Sequence, residues 1–338
     1  MSKASKLKRR HDREAGTRAS PPALGVQMPP MKIIRTPGEL QAGARKVCVA
    51  IGVLDGVHLG HQQVIRQTLA DAEQQEARAV AITFDRHPNA VVAPDRVPPL
   101  IYSLPQKLRA IESLGADTTL LIEFNEPFSQ QPAEGFIRGL ARDFGHIHSI
   151  CVGSAFTFGH KRGGNVALLR SLGAELKFIV HGLAAVSLDG EAVSSTRIRE
   201  AIRAGQLDAA SQMLGRGYAL AGMVVRGDQM GQQLGFATAN LDTTGIMLPP
   251  NGVYAVHARA SGTTQRGVLN IGVRPTVNDP KVLPRAEAHL LDFSGDLYGQ
   301  ELEITFVEKL RDEKTFPSLD ALKEQIAHDI DAARFLFG

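Results

Sequence analysis

The 338-residue chain has no tryptophan, two cysteines and only 5% aromatic residues. With so little cysteine, neither a disulfide nor a cysteine-based metal site is the expectation. Cys48 and Cys151 both sit in apolar, strand-like runs, where reduced core thiols of a cytoplasmic protein are the expectation. Long hydrophobic runs are missing too. No stretch approaches the roughly 18 apolar residues of a membrane span, and no secretory apolar segment follows Met1, so neither insertion nor export is expected. The absence of tryptophan decides nothing.

What is present is ordinary for a water-soluble globular protein: 43% hydrophobic and 22% charged residues. The length suggests two domains, each large enough for its own core. The formal net charge of +3 is unevenly placed. Residues 1–30 hold seven basic residues against two acidic ones, a net +5 that leaves −2 for the body. This basic, Pro-containing stretch reads as a disordered tail, either an arm for an acidic partner or an extension dispensable to the rest. Without a basic body, nucleic-acid binding as the main function is not expected.

From residue 46 to about 182, short apolar runs alternate with helical stretches. Strands are predicted at 47–51, 79–84, 119–122, 147–152 and 176–180, and helices at 62–75, 104–114 and 132–143. Runs that are apolar on consecutive positions belong to strands covered on both faces, hence an α/β domain with a mostly parallel sheet. Two short helices follow over 194–214. Beyond Gly217 the pattern turns to alternating strands at 219–225, 253–260, 267–271, 287–293 and 301–307, as in a compact antiparallel barrel. An amphipathic helix over 318–337 closes the chain.

Ligands of parallel α/β sheets bind at the C-terminal strand ends, and Gly52-Val-Leu-Asp55-Gly56-Val-His58-Leu-Gly60-His61 lies at one of them. Its glycines let the backbone approach a phosphate at a helix N-terminus. The two histidines face the same way and are suited to charge gathering on an α-phosphate during nucleotidyl transfer. Ser194-Ser195-Thr196-Arg197-Ile-Arg199 opens a later helix; Ser194 reads as its cap, and the arginines as partners for triphosphate oxygens. This pairing resembles the nucleotidyltransferase superfamily.

A second constellation, Gly227-Asp-Gln-Met-Gly231-Gln-Gln-Leu-Gly235-Phe-Ala-Thr238-Ala-Asn240, is a glycine-rich flap running into a Thr-x-Asn pair. The flap could wrap a diphosphate by its N–H groups, and Thr238 and Asn240 offer hard oxygens to Mg²⁺. Asn270-Ile-Gly272 and Glu287-Ala-His289 follow at barrel spacing.

With both constellations in this order, residues 31–335 resemble the bacterial bifunctional riboflavin kinase / FAD synthetase family. The resemblance implies a Rossmann-like FMN adenylyltransferase domain over 31–205 and a riboflavin kinase barrel with its closing helix over 206–338. It implies ATP and Mg²⁺ as co-substrate and cofactor, with riboflavin, FMN and FAD as substrates and products. It assigns ATP binding and catalysis of adenylylation to His58 and His61, with Gly52, Asp55, Gly56, Gly60, Ser195, Thr196 and Arg199 completing that nucleotide pocket. On the kinase side it assigns nucleotide binding to Gly227, Gly231, Gly235, Thr238 and Asn240, the last two as Mg²⁺ ligands, and the catalytic carboxylate to Glu287. Phe156, Phe158 and Arg311 are implied at the flavin.

The chain departs from the family pattern at several places: Leu54 for Phe, Arg86 for Pro, Gln232 for Arg, Ala237 and Gly217 for Pro, and Ala155 for Asp or Asn. Ala155 removes a polar contact, and Asp85 on a neighbouring strand is a candidate substitute. The alternative reading is therefore a riboflavin kinase whose first domain adenylylates weakly or not at all. Adenylylation of another phosphorylated substrate, or a flavin- or nucleic-acid-binding protein with retired sites, fits the barrel motifs less well. Oligomeric state has no signal in the sequence.

Overall fold

The computed structural model describes residues 30–40, 45–227, 235–272 and 285–338. The basic tail expected over 1–30 therefore lies outside the described residues except for Pro30, as do Gly231 and Gln232.

The first half is a six-stranded, wholly parallel sheet built from β1 (Lys32–Ile34), β2 (Val47–Ile51), β3 (Arg78–Phe84), β4 (Thr118–Ile122), β5 (Ile147–Gly153) and β8 (Ile179–Leu183), in the order β1-β4-β3-β2-β5-β8. Two short antiparallel ladders stand beside it, β6 (Thr157–Phe158) with β7 (Gly164–Asn165) and β9 (Ser187–Leu188) with β10 (Glu191–Ala192). All five residues of β2 are buried. Val47, Val49 and Ile51 enter one core cluster and Ala50 another, as the two-residue period of a strand covered on both faces requires. The chain leaves β2 toward β3 and β4, then returns past it to β5. That reversal opens a crevice at the C-terminal end of β2.

The second half is a closed antiparallel barrel of β11 (Ala219–Val225), β12 (Ala239–Asp242), β15 (Arg285–Leu290), β14 (Thr263–Gly272), β13 (Gly252–Ala260) and β16 (Glu301–Arg311), in that circular order. Leu220, Leu241, Leu269, Ile271, Ala286 and Ile304 fill its interior. The C-terminal helix Leu319–Phe337 packs on the outside of β13 and β14, burying Ala333.

Several elements differ from the expectation. Residues 166–176 form a helix capped by Asn165, whose side chain accepts from the Leu168 amide at 3.0 Å, and the strand predicted at 176–180 begins only at Ile179. Leu176 at the helix end is separated from the apolar Phe178, Ile179 and Val180 by Lys177 alone, which hides the break at that residue (φ 63°). The three-residue β1 and four-residue β12 are too short to show a period.

The halves meet through a strap, residues 98–102. On one side Ile101 and Tyr102 donate their amides to the Asp55 carboxylate at 3.1–3.3 Å, and Arg199 donates to the Pro99 carbonyl at 2.7 Å. On the other, Leu100 pairs with the barrel, donating to the Gly245 carbonyl at 2.8 Å and accepting from the Met247 amide at 2.7 Å. Arg109 adds ion pairs to Glu301 at 2.5 Å and Glu303 at 3.1 Å. Asp55 and Arg199, 4% and 8% exposed, form an ion pair at 2.5 Å beneath the strap.

Both cysteines are buried and free, and burial pushes the Cys151 thiol up to about 12 and raises that of Cys48. A thiol reagent at pH 8 should label neither in the folded chain and both after denaturation. Asp55→Asn should cost about 3–5 kcal/mol in urea unfolding, because the Arg199 charge is left buried without its counter-ion.

Candidate active sites

The first site occupies the crevice at the end of β2. The chain turns there through Leu54 (φ 55°), Gly56 (φ 76°) and Val57 (φ 41°), three left-handed residues within four, before the Leu59–Gln74 helix begins. His58 is the N-cap of that helix, its Nδ1 accepting the His61 amide at 3.4 Å. With Nδ1 an acceptor, the neutral ring carries its proton on Nε2, where it can donate to a phosphate oxygen. The His58 and His61 rings stack at 3.6 Å with 21° between their planes. Gly60 lies close against the His58 ring, since a Cβ there would stand 3.2 Å from it.

Burial, then the charges of Arg216 and Arg199, pushes the His58 pKa down to about 4. Burial holds that of His61 well below the ordinary imidazole value, helped by His58, Lys107 and Arg216. His61 Nδ1 is buried without a hydrogen-bond partner. The pair is thus neutral at physiological pH, and an incoming polyanion would raise both pKa values.

The second predicted motif converges on this loop. The Ser195 hydroxyl donates to the Asp55 carbonyl at 3.1 Å, and Arg199 grips the Asp55 carboxylate. Ser194 caps its helix as expected, accepting from the Arg197 amide at 3.2 Å. Arg197 differs from its reading as a phosphate ligand: its guanidinium binds the Leu188 and Glu191 carbonyls at 2.9 and 3.1 Å, holding the β9–β10 hairpin. Thr196 is exposed, and a Cβ at Gly52 would press on Leu54, itself buried.

Ala155 is exposed in the turn after β5, next to β2 in the sheet. Asp85 is tied off as its substitute, because its carboxylate accepts the Phe124 amide at 2.9 Å and pairs with Arg86 at 2.9 Å. Phe158 is buried in the core beside Phe136, and half-buried Phe156 stacks on it at 5.3 Å. A cation absent from the sequence expectation is Lys107. It is buried on the inner face of the Leu104–Glu112 helix, donates to the Phe84 carbonyl at 2.6 Å, and is lowered to about 8 by burial. Its position on the stripe shared with Ala110 and Ile111 was the available signal.

The second site lies on the outer face of the barrel. Glu287 on β15 stands in register with Asn240 on β12 and with Asn270 on β14. Residues directly opposed across antiparallel strands point to one face. Their neighbours Leu241, Ala286, Ala288, Leu269 and Ile271 point inward, so the polar row faces outward. Two cavities flank this wall, of about 440 Å³ and 330 Å³, and both are lined by Thr238 and His289. Asn240 lines the larger; Glu287, Asn270, Arg311 and Phe316 line the smaller.

A Cβ at Gly227 would collide with the Asn240 carboxamide, so glycine is what lets that side chain lie where it does. Gly235 (φ 91°) is exposed in open space. His289 donates from Nδ1 to the Ala237 carbonyl at 2.8 Å, bracing the backbone next to Thr238 where a proline would have fixed φ. His289 and Asn270 were legible only as barrel spacing. Arg311 binds Asp329 of the C-terminal helix at 2.7–3.1 Å, closing the far wall of the smaller cavity, and stands over Phe316.

The His58 ring, with a folded pKa below the ordinary value of 6.5, binds its proton less readily in the folded chain than in the unfolded one. Stability should therefore fall as pH drops from about 6.5 to 4, by roughly 3 kcal/mol for His58 alone. Denaturant unfolding of His58→Asn across that window should show a visibly flatter slope.

Comparison with known proteins follows the same two-part division. The family model for FAD synthetase matches residues 40–197 and that for riboflavin kinase matches residues 214–337. A bifunctional riboflavin kinase/FMN adenylyltransferase of Haemophilus influenzae is 35% identical over 308 residues, covering 91% of this chain and 99% of that one. Its Escherichia coli K12 and Pseudomonas fluorescens namesakes are 35% and 36% identical, over 91% and 90% of this chain and 98% of each of theirs. A crystal structure from Streptococcus pneumoniae, described as a macrolide-efflux protein, aligns at a TM-score of 0.74 and 26% identity over 90% of this chain and 98% of that one. Among the described residues of the present chain, no helix is long and apolar enough to cross a membrane. By identity, coverage and both domain matches, the chain belongs to the family of bifunctional riboflavin kinases/FMN adenylyltransferases.

Proposed function

We propose that the chain converts riboflavin to FMN at the barrel wall and FMN to FAD at the crevice of the parallel sheet, with ATP as co-substrate at both. Family membership makes it a riboflavin kinase and FMN adenylyltransferase; the assignment of each step to particular residues is our reading. The observation that carries it is the barrel wall itself, where one carboxylate in strand register with two amides separates two cavities that meet at Thr238 and His289. A donor and an acceptor of a phosphoryl group need that arrangement.

The larger cavity suits ATP and the smaller, lined by Val253, Val268, Phe316 and Ile326 beside Arg311, suits the flat flavin. Glu287, on the flavin side, is placed to accept the 5′-hydroxyl proton of riboflavin as that oxygen attacks the γ-phosphate. The Thr238 hydroxyl and Asn240 carboxamide are hard oxygen donors, and the fit of Gly227 against Asn240 keeps the latter's orientation, so these residues suit Mg²⁺. Mg²⁺ bound there with ATP would neutralise charge on the transferred phosphoryl group.

At the first site FMN would supply the attacking phosphate oxygen to the α-phosphorus of ATP, and pyrophosphate would leave. Nε2–H of His58, its neighbour His61 and the N-terminus of the Leu59–Gln74 helix are set to bind the charge that gathers on the α-phosphate. The reading of a silent first domain has only Ala155 in its favour, since the histidine pair and the Asp55–Arg199 pair are intact. Bacterial relatives and two free, buried thiols support a cytoplasmic location.

Glu287→Gln should lower riboflavin phosphorylation by about 10²- to 10⁴-fold and leave adenylylation of supplied FMN near normal. Equal loss of both activities would contradict the separation of sites. Gly227→Ala should also weaken the kinase alone, with part of the loss recovered at high Mg²⁺, because its methyl group displaces Asn240.

A further inference from the structure

The loop that forms the first site holds three left-handed residues, and Val57 among them is β-branched. Leu54 and Val57, unlike Gly56, are strained in this conformation, and a strained residue persists only where its surroundings hold it. The principal clamp is a single guanidinium. Arg216 donates from Nη2 to the Gly56 carbonyl at 2.6 Å and from Nη1 to the Val57 carbonyl at 3.1 Å. It also reaches the Leu214 carbonyl at 3.1 Å and the Tyr102 hydroxyl at 3.1 Å, and lies 5.0 Å from the centre of the Tyr102 ring. Gln62 reinforces the clamp, donating to the same Val57 and Leu214 carbonyls at 3.0 and 2.6 Å.

Four of the five guanidinium donors are thus used in a fork that an ammonium group cannot reproduce. Arg216 lies within the segment that matches the riboflavin kinase model, residues 214–337, and its acceptors Gly56 and Val57 lie within the FAD synthetase match, residues 40–197. A residue of the second module therefore holds the backbone of the first module's site.

We propose that Arg216 is a positioning residue for adenylyl transfer, by which the kinase module completes and holds the loop of the first site. This inference rests on the reading of that site as the adenylyltransferase. The clamp acts in two ways. It fixes the carbonyls of Gly56 and Val57 just before His58, and so fixes where Nε2–H points. Its charge also bears on the imidazole: His58 is faced by Arg216 and Arg199 and stacked on His61, with Lys107 beside His61 and Asp55 beneath Arg199. Loss of the Arg216 charge raises the His58 pKa. Protonation on Nδ1 would then break the cap to the His61 amide at a higher pH.

The test compares the full chain with Arg216→Gln and Arg216→Lys, each assayed for FAD formation from FMN and for riboflavin phosphorylation. Arg216→Gln should lower kcat for adenylylation by about tenfold to a hundredfold, with KM for ATP changing less and phosphorylation within twofold. Its acid limb should move to higher pH. Arg216→Lys should restore the acid limb through its charge but not kcat, because it lacks the fork. Amide hydrogen exchange over residues 54–61 should quicken in both variants. Unchanged adenylylation with unchanged exchange would overturn the proposal, as would an equal fall in both activities. If the wild-type chain phosphorylates riboflavin but forms no FAD, the reading of the first site fails instead. Exchange over residues 54–61 then still decides whether Arg216 holds the loop.

Discussion

The buried pair of Asp55 and Arg199 is the contact on which the arrangement of this molecule depends. A buried ion pair contributes little net stability, since desolvation offsets most of the attraction. Its effect here is registry. The Asp55 carboxylate accepts from Arg199 and from the amides of Ile101 and Tyr102, so one residue joins the loop after β2, the helix of residues 195–203 and the strap. The strap then continues, through Leu100, into the barrel segment around Ile246. Displacing Asp55 would release all three at once.

The two sites solve charge recognition by different physics. In the crevice, a helix N-terminus and two neutral imidazoles wait in a buried setting, their protonation suppressed by burial and by nearby cations. At the barrel, strand register does the positioning. Asn240, Glu287 and Asn270 form one row because antiparallel pairing fixes them opposite one another, and the two-residue period turns all three away from the apolar interior. On the proposed assignment, the first arrangement serves an α-phosphate that gains charge, and the second an alcohol that must lose a proton.

Much of this was legible in the sequence where the signal is local. Consecutive apolar residues made β2 readable, and spacing placed the His58–His61 turn at its end. The family pattern places Asp55, Ser195 and Arg199 at the nucleotide, but only the fold shows Asp55 and Arg199 neutralising each other and Ser195 bound to the Asp55 carbonyl. Arg197 and Arg199 look alike in sequence, and hairpin geometry alone separates their partners. Contacts across 100 or more residues left no local trace: Arg216 on Gly56, or the strap on the barrel. Gly217, which stands where the family pattern has Pro, lies between Arg216 and Tyr218, which are both pinned.

On the proposed reading, one chain carries two working sites in series. A chromatographic time course of riboflavin with excess ATP and Mg²⁺ tests it most directly. FMN should rise first and then decline as FAD replaces it, with Ala155 tolerated at its exposed turn. FMN that accumulates while FAD never forms would contradict it, leaving the crevice without the chemistry assigned to it.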